Sequence, residues 1–554
     1  MAALQYAAAA AHETDVGLLQ RAAQVTADCL QPSLTEKVAA RWIGAAPESV
    51  DAQRAAAQAA LALYKIDEAA AHYRIVLLTS PSGMDAEFAA LETYLAGSDA
   101  VFGARRLADR LAASFPTSAA ALRVQGFAAL RADDPAAAVK SLTASLALPA
   151  PGGPQSDENT RPELLQTLAR ARVLAGDGDE PIARAQAEVR RENTPANRLD
   201  YALLLMSAQR DAAAMKQLEM LAKNSEFAPV ALRLLGLLEF QQGRLDAAAA
   251  RFAELLRQEK YLDDAFYYLA LIADRNDDPE HALRLYAQVR GGENAVPALL
   301  RAAALLYKHG GAAAAEELLD RLIEEEPQRA PEILTARARM YADAGDLPRA
   351  LSVLERGAAE YPDDVYLRYA KASIYDDEGR VPDALRELSG LLALRPDDPA
   401  ALNALGYTLA DHSMDLGRAR RLIERAYAAA PKNAAILDSL GWVLFREGRG
   451  AEAEPFLQAA YADDRGGDIA AHLGEVLWQL GKQAEAEHVW TAALAADRDN
   501  RLLKATRQRL HGAPAPEAPA APALPLPLPP VTGAPALPPM PPVAASLNPP
   551  PAVV

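Results

Sequence analysis

The sequence predicts an all-α chain, an α-solenoid of about 14 helix–turn–helix repeats followed by a disordered proline-rich tail. Three observations predict it: an alanine column of fixed period, glycines and prolines locked to its phase, and a composition poor in aromatics. Among 554 residues, 51% are hydrophobic but only 6% aromatic, so Ala and Leu must build the core. Such a core suits close-packed helices better than strands.

The alanine column runs Ala70, Ala104, Ala138, then Ala214, Ala248, Ala282, Ala315, Ala350, Ala384, Ala419, Ala453 and Ala486, with steps of 33–35 residues apart from one gap of 76. That gap holds two units and a spacer, supplied by the stretch from Pro151 to Thr160. Gly126, Gly236, Gly406, Gly441 and Gly474 precede the alanine by about twelve residues. This glycine and the alanine belong where two antiparallel helices approach, because a larger side chain there overpacks the contact. Gly243, Gly310, Gly345, Gly379, Gly448 and Gly481 precede the alanine by five and predict left-handed caps after the first helix. Pro47, Pro116, Pro327, Pro362, Pro396 and Pro431 end the second helix. Apolar residues such as Leu402, Leu405 and Leu409 keep helical spacing between these markers.

The predicted organisation follows in order. Residues 1–15 form an N-terminal half-repeat or cap helix, and 16–150 form repeats 1–4. Residues 151–161 form a linker insertion, and 162–510 form repeats 5–14 with a capping helix. The unit at 162–194 is the weakest, since Pro181 takes the alanine place. Residues 511–554 hold 16 prolines and one formal charge, Glu517, and cannot bury a core. The N-terminal helix lacks its hairpin partner, so the product is expected to start upstream of Met1, or else that helix is itself the cap.

Composition narrows the function. A net charge of −17 argues against nucleic acid as a main partner, because phosphate binding needs a basic surface. One cysteine, Cys29, excludes an internal disulfide and a thiolate metal cluster. None of the eight histidines forms the paired spacing of a metal-binding helix, and no glycine-rich phosphate loop is present. Acidic and basic residues alternate as on a solvated helix face, and the repeats leave no room for a catalytic domain. The expectation is a non-enzyme without cofactor or metal.

The period and the columns resemble the tetratricopeptide repeat (TPR), most clearly in Ala401-Leu-Asn-Ala-Leu-Gly-Tyr407, Ile436-Leu-Asp-Ser-Leu-Gly-Trp442 and Ile469-Ala-Ala-His-Leu-Gly-Glu475. The resemblance implies a superhelix whose first helices line a concave groove for a protein or peptide. In the repeat frame the groove positions are Tyr366, Tyr369, Asn403, Tyr407, Asp438, Trp442, Phe445, Glu475 and Trp478. Aromatic anchors with polar companions suit a peptide groove, although the same aromatics could pack between units. On the groove reading, replacing Trp442 and Trp478 by alanine weakens partner capture more than it lowers thermal stability. The Lys/Asn/Arg clamp of chaperone-binding TPR domains is missing from these positions, which argues against a chaperone-tail receptor.

The run Asn403-Ala-Leu-Gly-Tyr-Thr-Leu-Ala-Asp411, continued by Leu437-Asp-Ser-Leu-Gly-Trp442, Ala471-His-Leu-Gly-Glu-Val-Leu-Trp478 and Val489-Trp490, is similar to a narrower family. These are Gram-negative outer-membrane TPR lipoproteins, among them an adaptor of a periplasmic carboxy-terminal processing protease. The resemblance implies an envelope assembly factor or protease adaptor, with that protease and its substrates as partners. If the true start and a signal lie upstream of Met1, it also implies a place at the periplasm-facing outer membrane or in the periplasm, with membrane attachment only by a lipid anchor. No apolar leader precedes Cys29, so a soluble cytoplasmic TPR assembly or chaperone-like protein is the alternative.

Overall fold

A computed structural model describes residues 2–98, 100–148, 154–496 and 500–511. The described residues form thirty α-helices, α1 (Ala2–Ala10) to α30 (Arg501–Leu510) in chain order. Helices α2 to α29 pair as consecutive hairpins, except that α6 (Met84–Ala96) packs mainly on α8 and α7 (Val101–Ser114) on α5 and α8; α1 packs on α2 and α3, and α30 packs on α28 and α29. This is the solenoid that the columns predict. The proline-rich stretch lies outside the described residues from 512 onward.

The columns act through contact. A Cβ on Gly406 in α24 (Pro399–Asp411) would sit 2.6 Å from Ile423 and 3.0 Å from the Ala419 carbonyl of α25 (Leu416–Ala429), so only glycine lets the two backbones meet. Gly441 in α26 (Ala434–Arg446) stands in the same way 2.6 Å from Leu457 of α27 (Gly450–Asp463). From Ala104 to Ala486 the alanine column is fully buried, but in the unit before, Ala69 is buried and Ala70 only partly so.

The corner after the first helix requires a left-handed residue in nearly every unit. Glycine provides it at Gly243, Gly310, Gly345, Gly379, Gly448 and Gly481, with φ between 69° and 88°. Leu30, Tyr64, Asp133, Gln209, Asp277 and Ser413 hold the same corner elsewhere, with φ between 53° and 62°. One further difference concerns the spacer. Helix α10 begins at Pro154, inside the stretch expected to be a linker, where proline at the first position starts a helix readily. Residues 149–153 lie outside the described residues.

The coil also closes on itself. Gln31 donates to the Glu360 carbonyl at 2.6 Å, 329 residues away, and Ser33 donates from hydroxyl and backbone to Asp363 at 2.6 and 2.9 Å, 330 away. Arg395 reaches the Ala62 carbonyl at 3.1 Å, 333 away. Arg106 and Arg395 lie 6.0 and 5.9 Å from the ring centroid of Tyr64, and Arg106 pairs with Asp397 at 3.5 Å. Farther along, Lys432 reaches the Leu174 carbonyl at 3.5 Å.

Candidate functional site

All nine predicted groove residues lie on first helices. Tyr366 and Tyr369 are on α22 (Val365–Asp377), and Asn403 and Tyr407 on α24. Asp438, Trp442 and Phe445 are on α26, and Glu475 and Trp478 on α28 (Gly467–Gln479). First helices touch one another between units, α24 with α26, α26 with α28 and α28 with α30, and so form one continuous wall.

The structure divides the nine into two groups. Tyr369, Asn403, Tyr407, Asp438, Trp442 and Glu475 are only 2–7% exposed. Tyr366, Phe445 and Trp478 remain half-buried. The side chains of the first group pack between successive first helices, the placement that the sequence allows beside the groove. The physical reason is that successive first helices meet directly, α24 with α26 and α26 with α28. Trp442 shows it best: its ring stacks on His472 at 4.1 Å between centroids, and its Nε1 donates to Asp411 at 3.0 Å. A side chain held on one face and along one edge in this way supports the fold before it can meet a partner.

Sequence reasoning missed the polar half of the wall. His472 Nδ1 lies 2.9 Å from Asp438, one repeat earlier. Burial pulls the imidazole pKa down, but the charge and hydrogen bond of Asp438 outweigh it and leave the value raised. His412 Nε2 lies 2.7 Å from Asp376, and that hydrogen bond raises its pKa against the effect of burial. Arg509 of α30 donates to Glu475 at 2.6 Å and ties the last helix to the wall. The available signal was an acid in one unit and a base about one repeat later, as in 438 with 472 and 475 with 509.

Several buried polar atoms have no partner within the protein, among them Asp376 Oδ2, Asn403 Oδ1, the Tyr407 hydroxyl and His472 Nε2. Burial, then Asp411, Asp438, Asp468 and Asp376, push the Tyr407 hydroxyl far above the usual phenol range. A carboxylate–imidazole pair could orient a base, but the nearby Ser439 hydroxyl donates to the Ala435 carbonyl of its own helix at 2.8 Å. Among the described residues no three His, Cys, Asp or Glu side chains converge closely enough to hold a metal ion. No described helix is long and apolar enough to cross a membrane.

The half-buried aromatics continue to the C-terminal end. Trp478 stacks on Trp490 at 5.6 Å, and His511 stands edge-on to Trp478 at 4.8 Å. The wall therefore offers aromatic faces at its rim above buried, charge-paired polar groups.

Comparison with known proteins bears on the repeat unit. One tetratricopeptide-repeat family model matches residues 341–406, and another matches 233–295, 300–365 and 414–468. A TPR repeat-containing protein of Pseudomonas aeruginosa is 34% identical over 211 residues, covering 38% of this chain and 36% of that protein. Cellulose synthase 2 operon protein C of Komagataeibacter xylinus is 33% identical over 181 residues, 31% of this chain and 14% of that protein. The matches thus span well under two thirds of either relative. Among solved structures, a thermophilic TPR protein of Thermus thermophilus aligns at 23% identity with a TM-score of 0.29, covering 33% of this chain and 97% of that one. A tetratricopeptide repeat protein of Parabacteroides merdae aligns at 12% identity with a TM-score of 0.33, covering 45% and 99%. The hairpin geometry, the column spacing and the matched family models agree, and the repeats of this chain are tetratricopeptide repeats.

Proposed function

We propose that the chain is a non-catalytic protein-interaction scaffold that holds a partner polypeptide along the wall of α22, α24, α26 and α28. The observation that carries this reading is the set of half-buried aromatics, Tyr366, Phe445 and Trp478, on the first helices α22, α26 and α28. Aromatic side chains are enriched among the few residues that carry most of the binding energy in protein interfaces. Tetratricopeptide repeats themselves support such a scaffold.

The finer reading places the scaffold at the cell envelope as an adaptor of a carboxy-terminal processing protease. Its support is the C-terminal signature from Asn403 to Trp490, similar to that of outer-membrane TPR lipoproteins. Photo-crosslinking from positions 366, 445 and 478 in the native organism, together with fractionation, tests both levels. Adducts with an envelope protease or its substrates, in the membrane or periplasmic fraction, are the expected result. Adducts with cytosolic proteins would retain the scaffold and remove the envelope role. No adduct from any of the three positions would remove the groove.

A further inference from the structure

The last two repeats carry an apolar rim that the array covers only in part. Phe445 of α26 and Trp478 of α28 each follow the helix-contact glycine, Gly441 or Gly474, by four residues, so they occupy the same turn of neighbouring first helices. Both stay half-buried while packing against the C-terminal core. Leu480, 38% exposed, joins them: a Cβ on Gly450 would lie 3.6 Å from Leu480 and 3.8 Å from Phe445. Three apolar side chains of two adjoining units thus reach the surface at one edge of the wall.

Trp478 keeps surface for a further contact. Trp490 and His511 stand 5.6 and 4.8 Å from its ring centroid and 6.3 Å from each other, so both lie to one side of the indole. Its N–H has no hydrogen-bond partner among the described residues and, unlike that of Trp490, is not buried. The charges nearby are already engaged: Arg509 donates to Glu475 at 2.6 Å, and Glu487 pairs with Arg507 at 2.8 Å and His511 at 2.5 Å. An aromatic edge with an accessible indole donor and paired neighbouring charges suits an uncharged occupant that brings carbonyl acceptors.

The chain supplies such an occupant. His511, the last described residue, stands beside Trp478, and residues 512–554 follow it with Glu517 as their one formal charge. Within them, Pro522-Ala-Leu-Pro-Leu-Pro-Leu-Pro-Pro530 is uncharged, and its prolines lack the N–H groups that would need new partners on docking. In a polyproline helix of three residues per turn, Leu524, Leu526 and Leu528 fall on three different faces, each shared with proline, so every face is apolar. The link from His511 to Pro522 spans up to about 34 Å at about 3.1 Å per residue, whereas packed helix axes lie only about 8–10 Å apart. Such a short link holds the run at the rim at an effective concentration on the order of millimolar.

We propose that the run Pro522–Pro530 docks across Phe445, Trp478 and Leu480 of its own chain and occupies this end of the wall until a partner displaces it. The docking goes beyond the scaffold reading and does not depend on it, while the displacement rests on that reading. An external segment must then outcompete a tethered one, so capture is weaker than the bare rim would give.

The test places a photo-reactive phenylalanine at position 445 of the purified full chain, with the exposed position 324 in α19 (Ala312–Glu325) as control. Irradiation of the dilute protein, read by mass spectrometry, should give adducts within one chain to residues 522–530 from position 445 and none from 324. The tail variant Leu524→Ser, Leu526→Ser, Leu528→Ser, which lies outside the repeat array, should lower that yield at least about fivefold. A labelled peptide copying residues 520–532 should bind this variant about tenfold more tightly than the unaltered chain, because the rim is vacant. In the native organism the same variant should raise partner adducts from position 445 about threefold, and an unchanged yield would overturn the displacement. The docking is overturned if position 445 gives no tail adduct, if its adducts ignore the three leucines, or if they join two chains and rise with concentration. Equal peptide affinity for the two chains would overturn it as well. Partner adducts without tail adducts remove the docking and leave the scaffold. Tail adducts with no partner adduct from 366, 445 or 478 keep the docking and remove the scaffold.

Discussion

Helices α26 and α11 (Asp179–Arg191) have thirteen residues each and occupy opposite ends of the packing range. In α26 nine consecutive residues, Ile436 to Leu444, are buried, polar Asp438 and Ser439 among them. In α11 only Pro181 and Ile182 are buried, and the helix finishes in Arg190 and Arg191. A first helix enclosed by its own partner and by two neighbouring first helices opens to solvent only near its ends, so even its central polar groups need internal partners. The second helix of the Pro181 unit touches the array along a narrow stripe. Stability in a repeat array is close to a sum of local terms, and it is therefore unevenly spread here.

The largest expected effect that sharpens this contrast is Trp442→Ala. Emptying a site stacked on His472 and bonded to Asp411 should cost about 3–5 kcal/mol of the C-terminal block. Denaturant unfolding followed by tryptophan fluorescence reads it, because Trp442, Trp478 and Trp490 all lie in that block. A small change there, coupled with lost partner capture, would return Trp442 to the groove. Trp478→Ala, at a half-buried position, should lower stability less than Trp442→Ala.

The next effect is pH. Asp377 moves from an ordinary 3.8 to about 7 on folding, so the folded chain binds that proton more tightly and loses stability as pH rises from about 4 to 7. His412 and His472 act in the same direction: their raised pKa values add stability below about 6.5 that is lost as pH rises through the folded values. The fluorescence midpoint of the C-terminal block should therefore fall between about pH 5 and 8. Asp377→Asn should flatten the lower part of that fall, and an unchanged slope would contradict the assignment.

Ile182→Ala probes the other side of the comparison. It should leave the tryptophan midpoint in place while trypsin cuts faster at Arg184, Arg190 and Arg191. A shared shift of both signals would mean that the array unfolds as one unit. Smallest is Asp363→Ala, which removes the acceptor of Ser33. It should cost less than about 1 kcal/mol, yet enlarge the radius of gyration in small-angle scattering.

The sequence made the hairpins readable because glycine and alanine are required where backbones meet, as Gly406 and Ala419 show. The corner at Leu30 and Tyr64 was not readable, since those side chains give no sign of a left-handed backbone. Nor was the depth of Asn403 and Tyr407, which depends on how tightly successive first helices pack. Asp438 and His472 each look ordinary alone, and only the stacking of one unit on the next makes them a pair. The contact of Ser33 with Asp363 comes from the summed small rotations of every unit between them.

That seam carries a rule about length. Its contacts at Gln31, Ser33 and Arg395 keep separations of 329, 330 and 333 residues. Duplicating or deleting a single hairpin inside this span would slide one layer of the coil past the other by a whole unit, and every bond across the seam would miss its mate together. Point substitutions can accumulate along the span, but its tally of hairpins is locked by the shape it closes.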